Sequence, residues 1–152
     1  MSTTENTTTV IVHEAINEEY EWVQFNKQLR LIRSVKDDMY QMQSILNALR
    51  STKQAQDWFE NQQTKELLSE AQRDILFYLK IVKNCQNGLR GWYVHRLLVN
   101  AVAMWASPRY AWHVYKLLDE IHRQEREEME NKLESKDKNI QSILTTSNKQ
   151  SK

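Results

Sequence analysis

The Ser107-Pro108 dipeptide divides the most apolar stretch of the chain, Leu89 to Leu118, into two helical patterns. Apolar residues recur at helical spacing before and after it: Leu97, Leu98, Ala101, Val102 and Trp105, then Tyr110, Ala111, Val114, Leu117, Leu118 and Ile121. Proline at the first helical position lacks only an N–H that would be unpaired there, and a preceding serine can cap the helix. The sequence therefore predicts that one helix ends at Ser107, that a second begins at Pro108, and that both stripes are buried.

The distribution of charge divides the 152-residue chain more clearly than its net charge of +1 does. Residues 1–20 carry four Glu and neither Lys nor Arg, whereas residues 21–116 carry 14 Lys and Arg against 8 Asp and Glu. We interpret 1–20 as an acidic, mostly disordered segment and 21–121 as one modestly basic domain. Residues 122–144 are predicted to extend the last helix, and 145–152 to form a disordered tail.

Strand patterns occupy the start of the domain. Polar and apolar residues alternate over Glu21–Asn26 with the period of a half-buried strand. Further strands are predicted over 29–35 and 38–42, and Val10–Val12 has the composition of a short strand. Basic residues (Arg30, Arg33 and Lys36) cluster on the second of these patterns.

From Ser44 the apolar period becomes that of a helix. One short helix is predicted around positions 45–49 and a second around 55–59, with a third that starts near Thr64 as N-cap. Ser51 and Gln54 have the spacing of a capping box, in which each side chain bonds the other's backbone N–H. Two short helices so close together resemble a helix-turn-helix, with Lys53–Glu60 as its second helix.

A β-hairpin is predicted after the third helix. Ile75–Val82 is short, aromatic and β-branched, which favours a strand, and Trp92–Val94 is the return strand. Asn87-Gly88 between them is typical of a tight turn.

The chain has no Gly or Pro after Pro108, so the last helix is predicted to be long. Met129, Leu133, Ile140 and Leu144 are spaced 4, 7 and 4 apart, which indicates a sparse coiled-coil seam. A homodimer through this C-terminal helix is therefore one hypothesis.

The apolar stretch and its upstream neighbours resemble a KilA-N domain. The resemblance rests on Gly91–His95, Ala103–Pro108 and Tyr110–Leu118 in its second half, and more loosely on Asp57–Phe59 and Thr64–Leu68 in its first. It covers roughly residues 22–120. It implies the α+β fold of KilA-N and fungal APSES DNA-binding domains, with a helix-turn-helix and a β-hairpin, here followed by a long C-terminal helix. Because KilA-N domains occur mainly in phages and large DNA viruses, it also implies a viral, DNA-binding protein.

Double-stranded DNA is accordingly the predicted partner. If Lys53–Glu60 is a recognition helix, Lys53, Gln54 and Gln56 lie where side chains meet base edges, although Gln54 has an alternative use in the capping box. Backbone phosphates would be held by five further basic residues: Arg50, Lys65, Lys80, Lys83 and Arg90. A solvated basic surface is the structural alternative.

This chain differs from the family where DNA contact is expected. The family often has Asn-Ala-Thr before its first helix and a Gly-Gly-Lys-Arg-like turn after it, whereas this chain has Gln43–Ile45 and Ser51–Lys53. The alternative function is therefore a protein-interaction module that has a KilA-N-like fold, has lost DNA binding and associates through its C-terminal helix.

No arrangement typical of an enzyme, a metal site or a cofactor site is found in the sequence. The histidines are scattered, Cys85 has no evident base, and no glycine-rich phosphate loop exists. Trp58, Trp92, Trp105 and Trp112 are interpreted as core residues rather than stacking platforms. With neither a signal peptide nor a membrane span nor a small-molecule substrate expected, the sequence predicts a soluble, intracellular protein of the host cytoplasm or nucleus.

Overall fold

The computed structural model describes residues 13–150, and within them the side chains of 13–141 and 143. These residues fall into two compact units, the first ending at Ala111 and the second starting at Trp112. The first unit contains a six-stranded antiparallel sheet in the order β1-β2-β3-β4-β6-β5. The strands are β1 (His13–Ala15), β2 (Tyr20–Gln24), β3 (Arg30–Ser34), β4 (Met39–Gln41), β5 (Leu79–Val82) and β6 (Gly91–His95).

The helices are α1 (Met42–Ala48), α2 (Ala55–Glu60), α3 (Gln62–Asp74), α4 (Arg96–Ala106) and α5 (Pro108–Gln150). The predicted α+β fold with a long C-terminal helix is therefore confirmed. So is the division at Ser107-Pro108, where the Ser107 Oγ accepts a hydrogen bond from the Tyr110 N–H at 3.1 Å. This bond is an N-cap on α5 and satisfies one donor of its first turn.

Buried apolar residues pair across the central strands. Val23 of β2 lies opposite Leu31 of β3, and both are buried. The predicted strands at 21–26, 29–35 and 38–42 are confirmed, since they correspond to β2, β3 and β4. The core is completed from α1 and α4, whose buried apolar residues are Met42, Ile45, Leu46, Leu98, Val99, Val102, Ala103 and Ala106.

The hairpin forms as predicted but is shorter on its first strand. Helix α3 continues to Asp74 and β5 begins only at Leu79, so Leu76 and Phe77 are exposed in the intervening turn. Gly88 (φ 91°) and Gly91 (φ 113°) both adopt left-handed backbone conformations that side chains disfavour. Gln41 fixes this turn to β4, because its Nε2 donates to the Gly88 and Arg90 carbonyls at 2.8 and 2.9 Å.

Three local predictions were wrong. The capping box does not form, because α2 begins at Ala55, Gln54 makes no side-chain cap bond, and the Ser51 Oγ accepts from the Lys53 N–H. Asn61, rather than Thr64, caps α3.

The third concerns Trp112, which was predicted to be core but is 64% exposed. Of the other tryptophans, Trp58 is 1% exposed, and Trp92 and Trp105 are half-buried.

The chain ends also differ from expectation. Residues 1–12, which include the predicted strand at Val10–Val12 and most of the predicted disordered segment, lie outside the described residues. His13–Ala15 of that segment forms β1 and pairs with β2. At the other end, helical backbone continues to Gln150 through most of the segment predicted to be disordered, since no Gly or Pro ends it.

The second unit is described by itself as helix from Trp112 onward. Its larger apolar side chains are exposed rather than buried in a core of its own: Trp112, Tyr115, Leu117, Leu118, Ile121, Met129, Leu133, Ile140 and Ile143. The prediction that both apolar stripes are buried was therefore wrong for Leu117, Leu118 and Ile121 of the second stripe, and for Leu97 of the first. Three predicted seam residues, Met129, Leu133 and Ile140, are among them, and the fourth, Leu144, lies outside the described side chains. This helix therefore has apolar surface available for a partner.

Candidate nucleic-acid interface

The connection between α1 and α2 carries the first predicted contact, Arg50, in a strained backbone conformation. Arg50 follows the C-cap residue Leu49 and has φ 55°, a left-handed value usually taken by glycine. The Ser51 N–H bonds the Leu46 carbonyl at 2.9 Å and the Arg50 N–H bonds the Asn47 carbonyl at 3.1 Å. These two bonds form a Schellman motif, which ends α1 and directs the exposed Arg50 side chain away from the core.

Lys53, predicted to meet a base edge, has a structural partner. Its ammonium donates to the Trp105 carbonyl at 2.8 Å and lies 4.9 Å from the centre of the Trp105 ring. That carbonyl is in the last turn of α4, where no intrahelical donor is available. Lys53 therefore caps α4 and fixes the α1–α2 connection to it.

Gln54 and Gln56 are exposed, and neither side chain has a partner among the described residues. Because the capping box is absent, the Gln54 amide remains available to an external ligand. Phe59 fixes the inner face of α2 by packing on Trp92 of β6, with ring centres 4.8 Å apart. The two glutamines thus lie on a short helix that is anchored to the sheet.

The predicted helix-turn-helix pair has an unusual connection. Residues 49–54 separate α1 from α2, which is longer than the three to four residues common in this motif. Helix α2 packs on α3, while α1 packs on α4, β3 and β6. On α3, Lys65 is exposed and has no partner in the described chain.

The hairpin residues are used unequally. The Lys80 ammonium pairs with the Asp37 carboxylate at 2.6 Å, bonds the Ser34 Oγ at 2.9 Å and lies 5.4 Å from the Tyr93 ring centre. Burial raises the pKa of the Asp37 carboxyl, but hydrogen bonds from Lys80 and Ser34 outweigh this and hold its pKa below the ordinary value. Lys80 is therefore largely neutralised within the fold.

Of the two other basic residues predicted on the hairpin, Arg90 has a partner among the described residues and Lys83 does not. The Arg90 Nε donates to the Cys85 carbonyl at 2.8 Å, which braces the hairpin turn. Lys83 is exposed and has no partner within the described residues. Lys83 is therefore the hairpin cation that is available to a ligand.

Two of the three basic residues clustered at β3, Arg30 and Arg33, are neutralised by acidic neighbours. Arg33 bonds the Glu21 and Asp38 carboxylates at 2.8 and 2.6 Å, and Arg30 pairs with Glu14. Burial raises the pKa of the Glu21 carboxyl, but hydrogen bonds from His13 and Arg33 outweigh it, and the net shift is downward. Arg30 and Arg33 lie on opposite faces of β3, so each face of this strand has its arginine neutralised, whereas Lys36 is exposed and has no ion pair among the described residues.

A cleft of about 250 Å³ lies beside Arg50 and was not predicted. Its lining includes Gln28, Arg50, Ser107, Arg109 and Tyr110. Only Arg50 was expected to contact a ligand. A basic residue directly after the Ser-Pro cap was the available signal for Arg109, whereas nothing in the local sequence related Gln28 to either arginine.

Neither a metal site nor a membrane-spanning helix is found among the described residues. Within residues 13–150, no three His, Cys, Asp or Glu side chains are grouped so as to hold a metal ion. No helix in this part of the chain combines the length and apolar character needed to cross a membrane.

The first unit is thus an α+β domain in which an anchored helix and an edge hairpin both expose polar and basic side chains. Comparison with family models matches the KilA-N domain over residues 23–124. The chain therefore belongs to the KilA-N domain family, and the resemblance noted from its sequence motifs is confirmed. This is a DNA-binding rather than an enzyme family, which supports a general DNA-binding role. Searches of curated proteins and of solved structures gave no match.

Proposed function

We propose that this protein binds duplex DNA through the α1–α2 helix-turn-helix region and the β5–β6 hairpin. The observation that carries the proposal is the set of predicted contact residues whose polar heads are exposed and unpartnered in the described chain: Arg50, Gln54, Gln56, Lys65 and Lys83. Ion pairs elsewhere on the domain neutralise part of the other positive charge, as for Arg33 and Lys80. Because the exposed contact side chains have no partner within the described chain, binding a ligand breaks no internal contact.

The eight predicted residues are assigned three kinds of role. Gln54 and Gln56 read base edges, where an amide can bond adenine on two atoms. Arg50, Lys65 and Lys83 hold backbone phosphates and set the register. Lys53, Lys80 and Arg90 keep these elements in place through the Trp105, Asp37 and Cys85 contacts.

The test is duplex binding, measured by fluorescence anisotropy over a range of salt concentrations. Each phosphate neutralised should contribute about 0.9 to the slope of log affinity against log salt. Lys83→Gln should weaken binding to all duplexes and lower the slope by about that amount, whereas Gln56→Ala should leave the slope unchanged and reduce discrimination between sequences. Absence of salt-sensitive binding at low ionic strength would refute the proposed function.

A matched control is Lys80→Gln. Its ammonium is already paired with Asp37, so the slope should change less than in Lys83→Gln, although both variants lose one positive charge on the same hairpin. Equal slopes in the two variants would refute the distinction between ligand-contacting and positioning lysines.

The second candidate function is protein interaction through the C-terminal helix, with a homodimer as its simplest form. Its specific observation is the exposed seam of Met129, Leu133 and Ile140 on the second unit. A dimer would present two DNA-binding surfaces at a fixed spacing, which raises overall affinity. Leu133→Lys with Ile140→Lys should convert a dimer to a monomer by light scattering, and an unchanged mass would refute dimerisation through this seam.

Viral origin, and action in the host cytoplasm or nucleus, also belong to the proposal. They follow from the main occurrence of KilA-N domains in phages and large DNA viruses. Detecting the protein bound to viral DNA in infected cells would support both.

A further inference from the structure

The cleft beside Arg50 is built by a rigid frame within the first unit. The Tyr110 hydroxyl, which is buried, accepts a bond from the Asn26 Nδ2 at 2.8 Å and donates to the Asn100 Oδ1 at 2.6 Å. The Asn26 side chain also accepts from the Gln28 N–H at 2.9 Å. These bonds join the loop after β2 to α4 and to the start of α5, so the wall that carries Gln28 is fixed before any ligand arrives.

The charge of this cleft is unbalanced. Arg50 and Arg109 both line it, and its lining in the described chain contains no acidic residue. Neither arginine has an ion-pair partner among the described residues, whereas Arg30, Arg33 and Arg96 of the same unit each lie beside a carboxylate. Two like charges at one cleft repel each other, and a bound anion would relieve that repulsion.

The remaining lining groups suit an oxyanion. Gln28 can donate through its amide, and the first turn of α5, which carries no acidic residue, directs the positive end of the helix dipole to this side. Guanidinium groups bind phosphate through paired hydrogen bonds. The volume of about 250 Å³ is below the roughly 300–1,000 Å³ of drug-sized ligand pockets and is enough to admit a phosphate group.

We propose that Arg50 and Arg109 clamp one phosphate in this cleft, and that its source is a backbone phosphate of bound DNA. The inference rests on the proposed function and extends it to a residue, Arg109, outside the helix-turn-helix region and the hairpin. It adds the α4–α5 junction to the DNA-contacting surface. If the two arginines share a single phosphate, removing both should reduce the salt dependence of binding by one phosphate. Two separate contacts would reduce it by two.

The first experiment measures duplex affinity against salt for Arg50→Gln, Arg109→Gln and the double variant. Because one phosphate is shared, the double variant should lower the slope by about 0.9, as one lost phosphate requires, and not by about 1.8. Each single variant should lose affinity about tenfold or more, since charge-assisted hydrogen bonds are removed. Arg73→Gln is the matched control, because Arg73 is exposed and lies 3.6 Å from Glu70, outside the cleft.

An unchanged affinity in Arg109→Gln, or a loss of about 1.8 in the slope of the double variant, would overturn the shared site. Circular dichroism verifies folding of each variant. Arg50→Gly provides a second test of the same position, because glycine adopts the φ of 55° without strain and should lose the same affinity.

The second experiment separates the two sources of phosphate. The melting temperature is measured in sodium phosphate and in sodium chloride of equal ionic strength. Phosphate should raise it in the wild type, by linkage to binding, and not in Arg109→Gln. Equal shifts in both proteins would overturn the anion site.

The two proposals fail in distinguishable ways. If the wild type binds DNA and Arg109→Gln keeps its full affinity, the cleft inference is wrong while the proposed function stands. If the wild type binds no DNA but shows phosphate stabilisation that depends on Arg109, the proposed function and the DNA source are both rejected, and the cleft holds the phosphate of a small molecule.

Discussion

Replacing Arg50 by glycine should make the domain more stable while it weakens DNA binding. Arg50 occupies the left-handed position of the Schellman motif at the end of α1, with φ 55°. Natural helices commonly place glycine there, because a Cβ clashes with the backbone in this conformation. The arginine therefore imposes a conformational cost at a position where its exposed side chain makes no contact in the described chain that would repay it.

The size of the gain follows from two opposing effects. A left-handed conformation costs an L-residue about 1–2 kcal/mol, which glycine avoids. Glycine in turn loses about 0.4–1 kcal/mol more backbone entropy on folding. The net expectation is a gain of about 0.5–1 kcal/mol in the free energy of unfolding, or a melting temperature higher by about 2–4 °C in a chain of this size.

The assay is urea denaturation of the wild type, Arg50→Gly and Arg50→Ala. Alanine removes the same charge but keeps the Cβ, so its stability should stay near that of the wild type. The difference between the two variants then isolates the backbone effect from the effect of charge. If Arg50→Gly is no more stable than Arg50→Ala, the assignment of strain at this residue is refuted.

Three further predictions concern the contacts that position the interface. Tyr110→Phe leaves two asparagine side chains without their shared hydroxyl and should lower the free energy of unfolding by about 1 kcal/mol in urea titrations; no change would mean that water replaces the hydroxyl. Lys53→Met removes the cap on the Trp105 carbonyl and should cost about 1 kcal/mol, with faster amide exchange at the end of α4; unchanged exchange would contradict the capping role. Asp37 and Glu21 have lowered pKa values, so their stabilisation is fully present above the unfolded carboxyl pKa of about 4 and is lost as pH falls through the folded values. Thermal unfolding from pH 7 to pH 2 should show this decline, and Arg33→Met should make it shallower.

The regular elements of this fold could be predicted from local pattern. Two confirmed predictions each rest on a signal that spans only a few residues. These signals are the alternation of polar and apolar residues over 21–26 and the Ser107-Pro108 dipeptide. The capping box at Ser51 failed although its spacing was correct. Gln54 is instead held in an extended conformation directly after Lys53, whose side chain is fixed to Trp105.

Local sequence could not predict whether each contact residue is available to a ligand or already bonded within the fold. Lys53 bonds a carbonyl 52 positions away, and Lys80 bonds side chains 43 and 46 positions away. The sequence shows where a lysine stands, but only the folded structure shows whether its ammonium already bonds a carboxylate or a carbonyl. Likewise, Arg50 and Arg109 line one cleft only because the fold brings these distant parts of the chain together.

The position of β5 as the outer strand of the sheet has a consequence for solubility. An outer strand exposes unpaired backbone groups that can pair with another chain, and Ile81 and Phe77 add exposed apolar surface at this edge. Lysines are the residues that most often block such pairing, and Lys80 and Lys83 lie on and just beyond this strand. The positive charge of Lys83, which we assign to phosphate contact, thus also protects the free protein from strand-to-strand aggregation. DNA binding and solubility therefore both favour a lysine at this position.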